Sequence, residues 1–264
     1  MSKVNKYEDL IVNHYTNHYI EDERFVTKGK RLEYITTMHY IKKFAKKGCK
    51  ILELGAGTGA YSVELAKMGY NVTAVELVES NLNVMKKKAE GIKNIVCLQG
   101  DALDLSRFED NSFDIVLNLG PMYHLYNQKD QNRAIAETLR VCKQDGISIF
   151  AFIPHYSTIW YVGIKNNGMD QIKGYLTKNG DLKITPEHLF ATYDIKELKN
   201  QFKNTNTTLL SMVSTDSIGP LLNDKFENVS DEDYEYFGKW HLKTCEKPEI
   251  LGTACHILYI CKKN

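Results

Sequence analysis

Residues 50–59, Lys-Ile-Leu-Glu-Leu-Gly-Ala-Gly-Thr-Gly, run from an apolar stretch straight into three alternating glycines. The apolar part reads as a buried strand, and glycines in the turn let backbone approach a ligand that a Cβ would obstruct. Gly55, Gly57 and Ala60 also satisfy the G-x-G-x-x-[GA] pattern of a dinucleotide site, so the loop alone leaves the ligand open. Glu53 precedes the first glycine by two positions, where a carboxylate suits a cationic ligand group and repels a pyrophosphate. Glu76 ends a second apolar run and is placed to accept ribose hydroxyls. Asp101, after the run Ile95-Val96-Cys97-Leu98, offers an acceptor for an exocyclic adenine amine. A fourth apolar run, 112–119, ends in a turn at Asn118-Leu119-Gly120.

In this order the four features resemble the class I S-adenosylmethionine-dependent methyltransferases. Glu53 to Gly59 match that family's first motif, Glu76 its second, Asp101 its third and Asn118 to Gly120 its fourth. Pro121-Met122-Tyr123-His124-Leu125 is similar to a Gly-Pro-Leu-Tyr-His-Leu signature of a bacterial branch of small members, with Met122 at the usual Leu. The resemblance covers roughly residues 30–155 and is weak beyond them. It implies an α/β, Rossmann-like doubly wound sheet, mostly parallel with an antiparallel C-terminal edge. It also implies S-adenosyl-L-methionine as cofactor and S-adenosyl-L-homocysteine as product. Donor contacts are then expected from Glu53, Gly55, Ala56, Gly57, Thr58, Gly59, Glu76, Leu77, Asp101, Ala102, Asn118 and Leu119. Tyr15 and Tyr19 resemble tyrosines that cap the donor from a leading helix, and Tyr19 is taken as a further contact.

The elements that must position these residues alternate along the chain. Strands are expected at 50–54, 71–76, 94–98, 113–119 and 147–153, with helices at 59–68, 80–90 and 128–142. Each motif then falls at the carboxyl end of a strand, where open α/β sheets bind ligands. Residues 1–48 read as a helical cap, with Leu32, Ile35, Met38, Ile41 and Phe44 recurring every three positions. The binding core spans 49–154. Residues 155–193, with no regular strand signal, read as a helical, mobile insertion over the active site, and 194–264 complete the sheet. That last part is expected to hold helices 194–203 and 231–245 and strands 207–214 and 255–261.

Methyl transfer from a sulfonium needs alignment more than a dedicated nucleophile. A general base is required only for a hydroxyl or protonated amine, and His124, just beyond the fourth strand, is the candidate catalytic residue. His14, His18, Tyr15 and Tyr19 share a helix face but lack a third ligand at a recognisable spacing, so no metal is expected. Six cysteines without a C-x-x-C pair read as reduced, buried residues. With 34 Lys+Arg against 33 Asp+Glu there is no global field for nucleic acid or an anionic membrane. The N-terminus carries no apolar export segment, which points to the cytoplasm. A small-molecule N or O acceptor is favoured, aromatic or apolar if the rings of the insertion enclose it. An RNA base methyltransferase using Lys42, Lys43, Lys46 and Lys47 is the alternative, and a non-catalytic donor-binding sensor or assembly protein is another.

Overall fold

The computed structural model describes residues 6–183 and 190–264; residues 184–189 of the expected insertion and 1–5 of the expected cap lie outside the described residues. The strands are β1 (Lys50–Leu54), β2 (Asn71–Glu76), β3 (Ile95–Gln99), β4 (Phe113–Asn118), β5 (Cys142–Pro154), β6 (Thr192–Tyr193), β7 (Thr207–Ser214) and β8 (Ile257–Lys263). They form one sheet in the order β3-β2-β1-β4-β5-β8-β7, with β6 paired to the end of β5. Neighbours from β3 through β5 are parallel, whereas β8 runs antiparallel to both β5 and β7. The mostly parallel sheet with an antiparallel C-terminal edge is therefore what the chain forms.

The helices that concern the site are α1 (Lys6–Asn17), α2 (Lys28–Phe44), α3 (Ser62–Lys67), α4 (Glu79–Lys88) and α5 (Gln128–Val141). Because β2 and β3 extend the sheet on one side of β1 and β4 on the other, a crevice opens at the carboxyl ends of β1 and β4. That reversal of strand order is the usual ligand position in an open α/β sheet.

Alternation along β1 decides which side chains reach that crevice. Ile51 packs with Tyr40 and Ile41 of α2 and Leu65 of α3, while Leu52 and Leu54 pack with Leu105, Val116 and Val141 on the opposite face. Glu53 shares the Ile51 face, and its carboxylate accepts the Ser62 hydroxyl at the start of α3. Burial pushes the Glu53 carboxyl up to about 8 despite that bond. It is therefore a neutral acid at pH 7. A folded pKa above the unfolded one means the associated stability is complete below about 4.5 and lost as pH rises through about 8. Glu53→Gln is expected to flatten this dependence, so its urea midpoint should gain on the wild type steadily between those pH values.

Several features differ from the pattern in the sequence. The buried residues of α2 are Gly29, Leu32, Glu33, Thr36, Thr37, Met38, Tyr40 and Ile41, so polar residues share the core face with Leu32, Met38 and Ile41, while Ile35 and Phe44 are only partly buried. β5 starts at Cys142, directly after α5, and a register shift against β4 absorbs the extra residues. The insertion is helical over 155–165 and 169–175, but its end, Thr192–Tyr193, pairs with Ile153 and Pro154 as β6. β8 begins at Ile257, which leaves Cys255 and His256 at the rim. Since Phe152 of β5 pairs with Ile257, this rim is the one that holds the crevice.

Candidate active site

Two adjoining cavities occupy the rim. The first, about 100 Å³, lies in the crevice and is lined by Gly55, Gly57, Glu76, Leu77, Asp101 and Ala102, with His124 on its wall. The second, about 390 Å³, lies under the insertion and is walled by rings that include Tyr19, Tyr161, Tyr175 and Phe190. Tyr15, Glu21, Arg24 and Tyr123 border both.

Gly55 and Gly57 have φ of +70° and +55°, which turn the loop back over β2. A Cβ on Gly55 would stand 2.8 Å from the Pro121 ring, so the loop and the turn after β4 touch directly. The Glu76 carboxylate accepts the Gly57 amide at 2.7 Å through Oε2 and the Val78 amide at 2.9 Å through Oε1. The carboxylate also lines the first cavity. Burial raises its pKa against these two amide bonds. Asp101 Oδ1 accepts the Leu103 amide at 2.9 Å, closing an Asx turn that fixes the carboxylate at the cavity edge.

Other expected contacts stand behind this lining. Glu53 is turned to Ser62 by the strand alternation, and Ala56 sits with Val63, Ala74, Leu82 and Met85 in an apolar cluster. A Cβ on Gly59 would fall 2.7 Å from Met85 of α4, which makes it a packing glycine. The Thr58 hydroxyl donates to Asp22, which also takes Lys88. Asn118 is fully buried and donates to Thr138, and Leu119 is a core residue that accepts the Tyr123 hydroxyl. Tyr19 lines the second cavity and not the first.

The first cavity is smaller than the ~300 Å³ at which small-molecule sites begin. The N-terminal segment explains this. Ile11, Tyr15, Glu21 and Arg24 stand in its lining, and a Cβ on Gly57 would come within 3.0 Å of the Glu21 side chain. This segment therefore stands in the crevice wall, while Ser157, Tyr161, Tyr175, Phe190 and Thr192 line the second cavity. His124, on the turn Pro121–His124, meets this segment: its Nε2 is 3.1 Å from the Tyr15 hydroxyl and its ring packs on Phe190.

At the floor of the second cavity, Arg24 Nη2 is 2.5 Å from Glu33 Oε1. Burial opposes ionisation of Glu33, but Arg24 and then His256 outweigh it and hold the carboxyl below its usual range. Replacing Arg24 by Met would strand that carboxylate, and a loss of about 3–5 kcal/mol in denaturant unfolding is expected. Beside it, Asp216 is fully buried. Its Oδ1 accepts the amides of Cys255 and His256 at 2.9 and 3.2 Å, and its Oδ2 lies 2.9 Å from His256 Nδ1. Glu33, Asp216 and His256 have ligand-type atoms within 4.8 Å of one another. Arg24, the two amides and the imidazole already satisfy these groups, so the cluster is complete without a cation. Neither Asp216 nor His256 stands out in the sequence; the signal was the antiparallel edge, which brings the end of β7 beside the start of β8.

Comparison with known proteins agrees with this geometry. Residues 52–150 match the family described as "Methyltransferase domain". The chain is 36% identical over 107 residues to the demethylmenaquinone methyltransferase of Staphylococcus aureus (strain JH9), a match covering 39% of this chain and 43% of that protein. It is 25% identical over 178 residues to the provisionally named methyltransferase YqeM of Bacillus subtilis (strain 168), covering 59% of this chain and 72% of that one. In fold it is similar to the geranyl diphosphate C-methyltransferase of Streptomyces coelicolor A3(2), with a TM-score of 0.64, 13% identity and full coverage of both chains. The family match and the named relatives support a methyltransferase, and the solved structure agrees with it in fold.

Proposed function

We propose that this protein transfers a methyl group from S-adenosylmethionine to a nitrogen or oxygen of a small molecule held in the second cavity. The observation that carries the reading is the pair of cavities with a common border of Tyr15, Glu21, Arg24 and Tyr123. When bound, the donor supplies an electrophilic methyl on a sulfonium. Glu76 would hold the ribose hydroxyls, Asp101 the adenine amine, and the amides of the glycine loop would close around the rest. Residues 1–48 act in this reading as the donor-side cap and 155–193 as the acceptor-side roof. The branch signature stays part of it, since the turn Pro121–His124 carries Tyr123 to the border between the cavities.

An RNA acceptor is disfavoured by placement. Lys42, Lys43, Lys46 and Lys47 lie at the end of α2 and in the loop entering β1, at the amino ends of the parallel strands, opposite the crevice. A pure sensor has no use for a second cavity bordering the first. No helix among the described residues is long and apolar enough to cross a membrane. All six cysteines are free, which suits a reducing compartment, and we place the protein in the cytoplasm. The geranyl diphosphate enzyme of Streptomyces coelicolor and a phosphoethanolamine N-methyltransferase of Haemonchus contortus, the latter matched over 48% of its chain with a TM-score of 0.62, act on small molecules. The test is incubation with radiolabelled donor and deproteinised cell extract, followed by separation of metabolites from RNA. Label in the metabolite fraction supports the proposal, label in RNA supports the alternative, and label in neither favours the sensor.

A further inference from the structure

We propose that His256, oriented by Asp216, is the general base that removes the acceptor's proton, so that the acceptor attacks through a hydroxyl or a protonated amine. The inference rests on the reading of the two cavities given above. A carboxylate bonded to one imidazole nitrogen fixes the tautomer and leaves the other nitrogen to accept a proton. Asp216 is built for that task. It is 0% exposed, two backbone amides hold its Oδ1, and its Oδ2 receives Nδ1–H of His256. Nε2, on the opposite edge of the ring, has no partner among the described residues, and His256 lines the acceptor cavity. His124 lines only the donor cavity, and its Nε2 is engaged by Tyr15.

The charges around His256 suit a base. From α2, Glu33 stands 3.5 Å from Nδ1; from the loop after β7 comes Asp216; Arg24 approaches from the turn after α1. Cys255 beside it is kept a neutral thiol by burial, and the Tyr123 ring lies 6.3 Å away. Burial favours the neutral ring, but Glu33 and Asp216 outweigh it and raise the pKa above its usual 6.5. In the reaction the acceptor O–H or N–H proton passes to Nε2 and the acceptor lone pair forms the new bond to the methyl carbon. The carbon–sulfur bond breaks with its pair going to sulfur, and the proton leaves His256 to water.

The test joins ¹⁵N imidazole spectroscopy of the full chain bound to S-adenosylhomocysteine with a turnover assay. The assay panel holds phenols, alcohols and primary amines, with pyridines and thioethers, which carry no proton on the accepting atom at neutral pH, as controls. Expected are an Nδ1–H tautomer, a His256 pKa above 6.5 that falls in Asp216→Asn, and turnover confined to acceptors that carry a proton. His256→Gln and His256→Asn should stay folded by circular dichroism, bind S-adenosylhomocysteine as the wild type does, and lose about 10²–10⁴-fold in kcat together with the acid limb of kcat/KM. A neutral ring protonated on Nε2 overturns the proposal. So does variant turnover within a few-fold of wild type, turnover confined to the proton-free controls, or activity that chelators abolish and zinc restores. If no acceptor in the panel is methylated, the tautomer and the Asp216→Asn shift decide alone. Failure of the wild type to bind S-adenosylhomocysteine would count against the donor site and not against this dyad.

Discussion

Glu76→Ala is expected to weaken S-adenosylhomocysteine binding by at least about 100-fold, since two hydrogen bonds to a charged group contribute roughly 1.5–3 kcal/mol each. The loss has a second source. Glu76 is also the acceptor for the Gly57 and Val78 amides, so its removal loosens the loop that surrounds the donor. Glu76→Gln, which keeps the shape and one acceptor oxygen, should fall between the wild type and Ala. Calorimetry measures the affinities, and circular dichroism melts separate lost binding from lost fold. An Ala variant that is folded and binds within threefold of wild type would remove Glu76 from the donor site.

Two glycines two residues apart should respond to the same substitution in opposite ways. Gly59→Ala places a Cβ 2.7 Å from Met85 Cγ and 2.9 Å from Val63 Cγ2, in a left-handed conformation of φ +84°. Overpacking and the αL penalty together predict a loss of about 2–5 kcal/mol in stability. The folded fraction should still bind donor. At Gly57 the nearest neighbour of a new Cβ is the flexible Glu21 side chain at 3.0 Å, so the stability loss should be only about 1–2 kcal/mol. Its Cβ points into the donor cavity, however, and affinity should drop by at least about tenfold, roughly 1.4 kcal/mol. Urea unfolding read beside calorimetry distinguishes the two patterns, and equal effects of both variants on binding would contradict the assignment of Gly59 to packing.

The parallel half of the fold was legible because β1 to β4 and the second half of β5 are compact apolar runs closed by turn residues. Motifs at the ends of β1, β2 and β3 were legible for the same reason, since their side chains or backbone reach the crevice directly. Glu53 was not, because period-two alternation turns it to α3 and a carboxylate near a strand end reads the same on either face. Asn118 and Leu119 were expected at the donor and lie in the core, where the chain after β4 packs against α5. The floor of the second cavity was the least legible part. Glu33, Asp216 and His256 come from α2, the loop after β7 and the residue before β8, and only the antiparallel edge brings them together. Single polar residues at distant positions carry no spacing signal. The wall of the crevice was hard to read for a related reason: Tyr15 and Glu21, which line it, come from the N-terminal segment and carry no spacing signal toward the strand ends.

Parallel calorimetric titration of the full chain with S-adenosylmethionine, S-adenosylhomocysteine and NADH tests the central claim most directly. Micromolar binding of the first two and no heat from NADH is the predicted result. Binding of NADH alone would contradict the account, because the glycine loop and Glu76 would then serve a dinucleotide and every role assigned around them would fall.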